Sequence, residues 1–441
     1  ESLQVRGGAG MFTSRLPLVW PGGAYTNNGL TVGGVYYKSA WGQPIPFRPQ
    51  WDNQYTAQDF GQKDAIPSGQ MDLFGKDFKY PQVFRTSLAI DKKLPWGLIG
   101  TVEALYTKTI NNVLYFNLNQ KPAEGKYLTG TPDHRPLYPG ESIEPAYTRI
   151  MLGTNTNKGY SYNLTAQLTK PFKNGFTGSL AYTFGRTMSL NDGTSSQNSS
   201  QWRYMENVYG LNHLEMSYSD FDLGSRILAF VSYKKKYANN FATTISVYYN
   251  GQSGSRYSYV YNDYGDLNGE GENAGNLIYV PNDASEINLI DIVDDGQVVK
   301  TTEEQWNNLN ALIKSDDKLN DRRGDYAERN GSRLPFESTF DLRIAQDFYL
   351  KAGKQTHTLQ VSLDIFNFAN LLNKDWGVKR YISYGAYQLL DFEGYMEDGT
   401  TPQFSYDGPD DVEDIYNIDD SGLFSSRWQA QIGIRYIFGK N

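Results

Sequence analysis

The sequence has no cysteine, only three histidines and no long apolar run among its 441 residues. The lack of cysteine excludes a disulfide framework and fits an extracytoplasmic protein that uses none. No stretch approaches the roughly 18 apolar residues that a transmembrane helix requires, which excludes a helical membrane protein. The net charge of −8 offers no electrostatic basis for binding DNA or RNA, so we expect no nucleic-acid partner.

Sequence motifs for catalysis are missing as well. There is no Gly-x-Ser-x-Gly nucleophile motif, no phosphate-binding Walker loop and no dinucleotide fingerprint. His134, His213 and His357 are far apart and have no acidic residue at metal-ligand spacing, so we expect neither a zinc site nor a catalytic histidine. The pair Asp133 and His134 is the single candidate for acid–base chemistry, and adjacent side chains point in different directions. We therefore expect that the protein is not an enzyme.

The pattern that is present is alternation of apolar and polar side chains, seen most clearly in residues 427–438. One parity is apolar, with an aromatic ring at each end, and consists of Trp428, Ala430, Ile432, Ile434, Tyr436 and Phe438. The other parity is mostly polar. Successive side chains of a strand point to opposite faces. A strand with rings at both ends of its apolar face is typical of a β-strand that crosses a bilayer.

The same alternation recurs along the chain and predicts about ten strands. They cover residues 3–11, 84–93, 98–109, 160–169, 176–188, 226–236, 241–250, 336–350, 356–367 and 427–438. Short turns join the strands in pairs, and long connections (111–158, 189–224, 251–335 and 369–426) separate the pairs. This asymmetry predicts an all-β transmembrane antiparallel β-barrel with short periplasmic turns, long extracellular loops and a periplasmic C-terminus. A series of soluble β-sandwiches is the alternative, although sandwiches have connections of mixed length at both ends.

Four segments resemble a known family. YSYVYNDYGDLNGEGEN at 257–273, followed by NLIYVP at 276–281, resembles the Asp-x-Asn-Gly-Asp-Gly and Asn-Asp-Leu-Ile-Tyr-Val-Pro signature of the Oar-like TonB-dependent outer-membrane receptors. RLPFESTFDLR at 333–343 resembles the same family's entry into its late strands. DIFNFANLLNK at 364–374 is similar to a segment near the end of TonB-dependent barrels generally, and RLPLVWPGG at 15–23 also resembles the family.

This resemblance implies a 22-stranded barrel, of which residues 1–441 form the C-terminal portion of one domain. The resemblance also implies a plug and a preceding carboxypeptidase-regulatory-like β-sandwich upstream of Glu1. Separately, the chain begins almost inside a strand, so we expect it to be the C-terminal piece of a longer protein or a processed product. The implied function is a TonB-dependent receptor or transporter of the Gram-negative outer membrane. Its partners would be outer-membrane lipid and lipopolysaccharide, the TonB complex and possible envelope proteins. The alternative is a structural barrel that binds partner proteins without active transport.

An Asp/Asn/Gly-rich run suggests one cation site. Asp263, Asp266, Asn268 and Glu270 offer oxygen ligands at short spacing, which makes them a candidate Ca²⁺ site. The EF-hand spacing is absent, and the alternative is an acidic, turn-rich loop in water. The sequence indicates no other cofactor. A second acidic run, at 410–420, is predicted to be a solvated surface loop.

Two further features of the loops are predicted. Residues 301–314 begin with the capping-box pattern of Thr301 and Glu304 and carry an apolar stripe, so a helix is expected there. Aromatic residues outside the strands either line an extracellular vestibule or hold the long loops together; they are Trp20, Trp41, Trp51, Trp202, Tyr204, Tyr257, Tyr259 and Tyr261.

Overall fold

The computed structural model describes residues 2–29, 46–56, 59, 69–272, 275–353, 355–420 and 426–440. Strands dominate this part of the chain. They are β1 (Leu3–Thr13), β2 (Gln70–Phe74), β3 (Gln82–Leu94), β4 (Leu98–Asn117), β5 (Arg149–Thr156), β6 (Tyr160–Lys173), β7 (Phe176–Ser189), β8 (Ser217–Tyr218), β9 (Gly224–Tyr237), β10 (Phe241–Gln252), β11 (Arg256–Asn262), β12 (Tyr279–Val280), β13 (Ile292–Asp294), β14 (Gln297–Lys300), β15 (Asp325–Tyr326), β16 (Ser332–Arg333), β17 (Glu337–Ala352), β18 (Gln355–Phe366), β19 (Arg380–Tyr381), β20 (Ala386–Tyr395), β21 (Pro402–Ser405), β22 (Asn417–Ile418) and β23 (Gln429–Lys440).

The longest strands form one antiparallel meander, which we call the wall. Its order is β1-β3-β4-β6-β7-β9-β10-β17-β18-β23, and every neighbouring pair is antiparallel. These ten strands cover the ten segments predicted from alternation. Within the described residues, β1 and β23 each pair with a wall strand on one side. The wall is therefore an all-β, antiparallel sheet in which chain neighbours are also spatial neighbours.

The short turns fix the register of the wall. Between β6 and β7, Lys173 pairs with Phe176, and the two residues of the turn, Asn174 and Gly175, have φ of 54° and 84°. Positive φ at both central residues defines the tight hairpin turn whose twist matches that of paired strands, and Asn-Gly suits it best. The alternating pattern on each strand then places all apolar side chains of the pair on one face.

The long connections are more ordered than the alternation predicts. β4 continues past the predicted end at residue 109 to Asn117, and its last six residues pair with β5. Residues 253–335 and 369–420, which we call the loop lobe, form a four-stranded sheet of order β16-β11-β20-β21 and several two-stranded pairs. The described parts of the connections 111–158, 251–335 and 369–426 therefore contain strands and helices beyond the one helix that the sequence indicates.

The loop lobe has its own hydrophobic core. Its members are Tyr257, Tyr259, Tyr261, Leu267, Ile278, Val280, Ile287, Leu309, Leu312, Ile313, Leu319, Ala327, Leu334, Ile382, Leu389, Leu390, Phe404, Tyr406 and Ile415, and they enclose Leu128 from the β4–β5 connection. A second, smaller core joins the segment between β1 and β3 to the segment between β7 and β9. Its members include Trp20, Tyr115, Met151 and Trp202. The loops thus hold one another in place by burying apolar surface.

Five α-helices lie in the described parts of the connections. They are α1 (Val19–Thr26), α2 (Asn198–Arg203), α3 (Thr302–Ser315), α4 (Asp317–Asn320) and α5 (Phe368–Leu372), and 3₁₀ turns occur at Pro95–Gly97, Ala284–Glu286, Ser383–Gly385 and Val412–Ile415. The predicted helix is confirmed as α3, and both halves of its Thr301/Glu304 capping box are formed. None of the helices in the described part of the chain has the length and apolar character needed to cross a membrane.

Candidate functional site

The wall has one apolar face, built by the register of its strands. Tyr233 pairs with Ile245, Ile245 with Ile344, Ile344 with Leu363, and Leu363 with Ile432, so a continuous apolar row crosses five strands. These side chains are not covered by protein: Ile432 is 75% exposed. A large apolar surface without a protein partner has to meet another apolar phase to be stable.

Aromatic side chains border this apolar face at both ends. At the short-turn end, Phe241 and Phe348 pack edge to face at 5.7 Å, and Tyr436 lies 4.6 Å from Phe438. At the loop end, Tyr249 and Phe340 lie 4.6 Å apart. The ten residue steps from 428 to 438 span about 33 Å along a strand, or roughly 25 Å at a tilt of about 40°. That height matches the apolar band of a membrane barrel.

The opposite face of the wall is polar and hydrogen-bonded across strands. Arg6 lies 3.0 Å from Asp91 and 3.2 Å from Glu103, and Thr101 donates a hydrogen bond of 2.6 Å to Asp91. These residues come from β1, β3 and β4. Because these polar side chains find partners on the adjacent strand or on the strand after it, this face is ordered without being apolar, as expected of a lumen surface.

A second polar cluster lies nearer the short turns. The carboxylate of Asp347 accepts hydrogen bonds from Lys234 at 2.6 Å, Tyr349 at 2.9 Å and Gln360 at 2.7 Å. Asp347 itself is only 3% exposed. A carboxylate this deeply buried is stable only when it is paired and hydrogen-bonded, and here it has both a cation and two neutral donors.

The predicted Ca²⁺ ligands lie in a tightly bonded turn of the loop lobe. Asp263 is buried and accepts hydrogen bonds from the backbone N–H of Gly265 at 3.0 Å and from Asn276 at 2.7 Å. Burial raises the pKa of Asp263 to about 6. Asp266 is exposed. The predicted alternative, an acidic loop in water, does not describe this turn.

Asn268 and Glu270 also form hydrogen bonds within the protein. Asn268 is fully buried and donates a hydrogen bond of 2.6 Å to Glu270. Glu270 also accepts from Gln120 at 2.5 Å and from the N–H of Leu211 at 3.0 Å, so it joins three connections. In the described residues, no three His, Asp or Glu side chains are grouped so that they could hold a metal. The calcium site stays a prediction, which titration calorimetry with Ca²⁺ would test.

Asp133, the acid of the predicted acid–base pair, is committed to a different partner. Its carboxylate forms an ion pair of 2.9 Å with Arg135, which is completely buried. Tyr326 donates a hydrogen bond of 3.0 Å to Asp133, and Arg135 donates one of 2.7 Å to the carbonyl of Leu277. None of these hydrogen bonds joins His134 to Asp133. The Nδ1 atom of His134 lies 3.4 Å from the carbonyl oxygen of Leu128. The Asp133–Arg135 ion pair therefore stabilises the loop lobe through Tyr326 and Leu277.

Most of the predicted vestibule aromatics are buried in the two loop cores. Trp20, Trp202, Tyr257, Tyr259 and Tyr261 are all buried, whereas Trp51 and Tyr204 are exposed and Trp41 lies outside the described residues. For these five residues the interpretation that aromatics hold the loops together is confirmed.

Two of these tyrosines form a buried polar group. Tyr257 and Tyr259 donate hydrogen bonds of 3.0 and 2.9 Å to Asp316, which also caps α4. Burial raises the pKa of both hydroxyls, and the Asp316 carboxylate raises them further, so both remain hydrogen-bond donors at neutral pH.

A cluster of ion pairs connects the loop lobe to the wall. It includes Arg333, the first residue of the segment 333–343 that resembles the Oar-like family. Asp222 lies 2.5 Å from both Arg256 and Arg333, and the Arg256 guanidinium stacks 3.5 Å above the ring of Tyr218. Asp222 is buried. The arginine that opens this segment therefore positions the start of β17 relative to the lobe.

One cleft was missed by the sequence analysis. It encloses about 150 Å³ between the segment that joins β7 to β9 and the loop lobe. The residues that line it include Glu206, His213, Glu215, Arg322 and Arg329. Burial raises the pKa of Glu206 to about 7, although Arg329 opposes the shift. These residues come from segments more than 100 positions apart, and no spacing or composition signal in either segment indicates that they meet.

Comparison with known proteins identifies a family and similarity to a solved outer-membrane structure. The outer membrane beta barrel domain family matches residues 1–375. The outer membrane transporter YddB from Escherichia coli is similar with a TM-score of 0.36 and 10% sequence identity, over 84% of this chain and 35% of that one. The chain thus spans about 35% of the length of that transporter. No curated protein matches the sequence.

Proposed function

The chain belongs to the outer membrane beta barrel domain family, and from this premise we propose that it is the C-terminal part of a TonB-dependent receptor or transporter. The complete barrel in this proposal has 22 strands and encloses a plug. The loop lobe captures a ligand outside the cell, and the ligand passes along the polar face when TonB displaces the plug. The C-terminus lies in the periplasm, and lipid and lipopolysaccharide surround the apolar face. The protein carries out no chemistry on the ligand.

The observation that supports this proposal best is the difference between the two faces of the wall. A barrel whose only role is structural needs an apolar outer face. A conduit also needs a wettable inner face, and here Arg6, Asp91 and Glu103 form a hydrogen-bonded polar surface on it. The resemblance of segments 257–281 and 333–343 to Oar-like receptors supports the narrower assignment.

Depletion of nutrients from the culture medium tests the proposal. Three strains of the native bacterium are compared: wild type, a deletion of this gene, and a deletion of tonB. We expect at least one peptide, sugar or chelate to remain in the medium of both deletion strains and to disappear from that of wild type. If the gene deletion leaves the depletion profile unchanged while the tonB deletion alters it, transport by this protein is ruled out.

A scaffold that binds other envelope proteins is the second candidate, and one feature of the loop lobe favours it. The hairpin of β13 and β14 exposes Val293, Val298 and Val299 on the surface of the lobe. Exposed apolar patches of this kind occur at protein contacts. Stoichiometric co-purification of an envelope protein that is lost when the three valines become serine, with unchanged nutrient depletion, would favour the scaffold.

A further inference from the structure

The apolar face of the wall carries a cavity at its loop end. The cavity encloses about 270 Å³, and Phe336, Phe340, Trp376, Val378, Asp375 and Arg380 are among the residues that line it. Phe336 immediately precedes β17 and Phe340 lies near its start, whereas the others belong to the segment that follows α5. The cavity therefore lies where the last long connection folds back against the wall.

The register of β17 shows that this cavity opens on the apolar side. Phe340 pairs with Tyr249 and Ile344 with Ile245, and all four lie on the face that carries the continuous apolar row. Tyr249 and Ser338 share a hydrogen bond of 3.1 Å on this face, just beyond Phe340. The cavity is thus continuous with the apolar surface and lies at the level of the loop-end aromatic band, the depth at which lipid headgroups meet acyl chains.

The charges of the last connection are segregated around the cavity. Residues 369–420 contain twelve acidic and three basic side chains, and all three basic ones, Lys374, Lys379 and Arg380, fall in 374–380. Asp375 is the single acidic residue in that stretch, and the other eleven follow residue 390. Residues 374–380, which supply part of the cavity lining, are therefore net positive in sequence, and the pairing of β19 with β22 brings Asp419 beside Lys379.

Arg380 has the chemistry to hold an anion. Its side chain is partly buried, and it forms no ion pair with a carboxylate among the described residues, although Asp375 also lines the cavity. A guanidinium binds phosphate oxygens through two parallel N–H donors. Phenylalanine and tryptophan rings beside it offer the apolar contact that an acyl chain requires.

We propose that this cavity binds a phosphorylated lipid of the surrounding membrane leaflet. Arg380 donates hydrogen bonds to the phosphate, and Asp375 at the same cavity disfavours a second negative group. The acyl chain lies on Phe336 and Phe340 and continues down the apolar face, and Trp376 packs against its upper end. The site is independent of transport: it depends on the position of the wall in a membrane and on no step of ligand uptake.

Native mass spectrometry of the delipidated, detergent-solubilised protein tests this proposal. The probes are phosphatidylglycerol, diacylglycerol with the same chains, and inorganic phosphate. We expect one phosphatidylglycerol to be retained at low lipid excess. Arg380→Gln should lower the affinity for this lipid about tenfold, because a charge-assisted hydrogen bond is lost. Trp376→Ala should weaken phosphatidylglycerol and diacylglycerol alike, by about threefold.

Two further variants complete the design. Arg380→Lys keeps the charge and should recover part of the affinity, which separates recognition from misfolding. Lys126→Gln makes the same change of charge on a distant exposed loop and should have no effect. The proposal is overturned if Arg380→Gln and Lys126→Gln bind phosphatidylglycerol equally, if diacylglycerol binds as well as phosphatidylglycerol, or if millimolar inorganic phosphate displaces the lipid and so identifies a site for soluble anions.

Discussion

The wall and the loop lobe use the same kinds of residue in opposite ways. In the wall, large apolar side chains such as Ile432 and Ile434 are 75% and 76% exposed, and polar side chains such as Asp347 are buried. In the loop lobe, Leu309, Leu312 and Ile313 are completely buried. The wall is therefore built for an apolar surrounding, and the lobe is built like a water-soluble domain with a core of its own.

Charge separates the two regions further. Residues 253–335 carry sixteen acidic and eight basic side chains, and 369–420 carry twelve and three, whereas the whole chain has a net charge of only −8. The wall and the remaining connections are therefore net positive. Because the lobe buries a core of its own, we expect that perturbing one region leaves the other largely intact, and each of the following predictions tests that independence.

The largest effect is expected from removing a buried charge partner in the β4–β5 connection, where it bonds to the lobe. Asp133→Ala leaves the fully buried Arg135 without its carboxylate. An uncompensated buried charge costs about 3–5 kcal/mol. We expect the opening free energy of the loop lobe, measured by native-state hydrogen exchange in detergent, to fall by about this amount while exchange in the wall is unchanged.

The matched change in the wall is Asp91→Asn. The Arg6–Asp91 pair is partly exposed, with Arg6 at 48% and Asp91 at 24%. Exposed pairs contribute about 1 kcal/mol or less. If Asp91→Asn destabilises the protein as much as Asp133→Ala, or if Asp133→Ala also unfolds the wall, the two regions are not independent.

The next largest effect is expected on the apolar face of the wall. Ile434→Arg places a charge near the middle of β23, on the face expected to contact acyl chains. Such a change costs about 2–4 kcal/mol at the bilayer midplane. Gln431→Arg, on the opposite face of the same strand, should cost far less. Urea-dependent unfolding in lipid vesicles measures both, and equal losses would contradict the assignment of the faces.

The sequence predicted the wall well because each strand carries its own alternation and the hairpins are local, while strands separated by long connections, such as β10 and β17, pair in chain order. Each hairpin pairs residues that are close along the chain, such as Lys173 with Phe176, and the alternation on each strand assigns its two faces. The Asn174–Gly175 turn and the Thr301–Glu304 capping box are likewise encoded within four residues. Signals of this kind need no knowledge of distant partners.

The loop lobe could not be predicted in the same way, because its contacts join distant segments. Ser258 in β11 pairs in parallel with Ala386 in β20, and Arg135 donates to the carbonyl of Leu277. Neither segment carries a pattern that identifies the other. The burial of Asp263 and Asn268 follows from the same packing, so a run that resembles a hydrated cation loop in sequence becomes an internally bonded turn.

A pH dependence of intermediate size is expected in the lobe. Burial raises the pKa of Asp263 to about 6, above its unfolded value, so the folded state holds its proton more tightly. This stabilisation is present below about pH 4 and is lost as pH rises through 6. Hydrogen exchange should show the opening free energy of the lobe falling by on the order of 2 kcal/mol from pH 4 to pH 7.

Two variants isolate this effect. Asp263→Asn should remove the part of the slope between pH 4 and 7 that Asp263 contributes, and the raised pKa of Glu206 leaves a second part of the same sign. Asp398 is the opposite case, because hydrogen bonds from Thr401 and Thr400 lower its pKa, so its contribution is present above about pH 4 and constant in that window. Asp398→Asn should therefore leave the slope unchanged. A slope that Asp263→Asn leaves unchanged would assign the dependence to another group, such as Glu206.

The smallest effect is expected at the start of α3. The Thr301 side chain accepts a hydrogen bond from the N–H of Glu304, and Glu304 accepts one from the N–H of Thr301. Thr301→Ala removes one half of this box and should cost about 1 kcal/mol of lobe stability. Thr301→Ser keeps the hydroxyl and should cost little. Because α3 buries Leu309, Leu312 and Ile313 in the lobe core, exchange should accelerate across the lobe and not in β17 or β18. Acceleration confined to the first turn of α3 would show that the helix frays without opening the core.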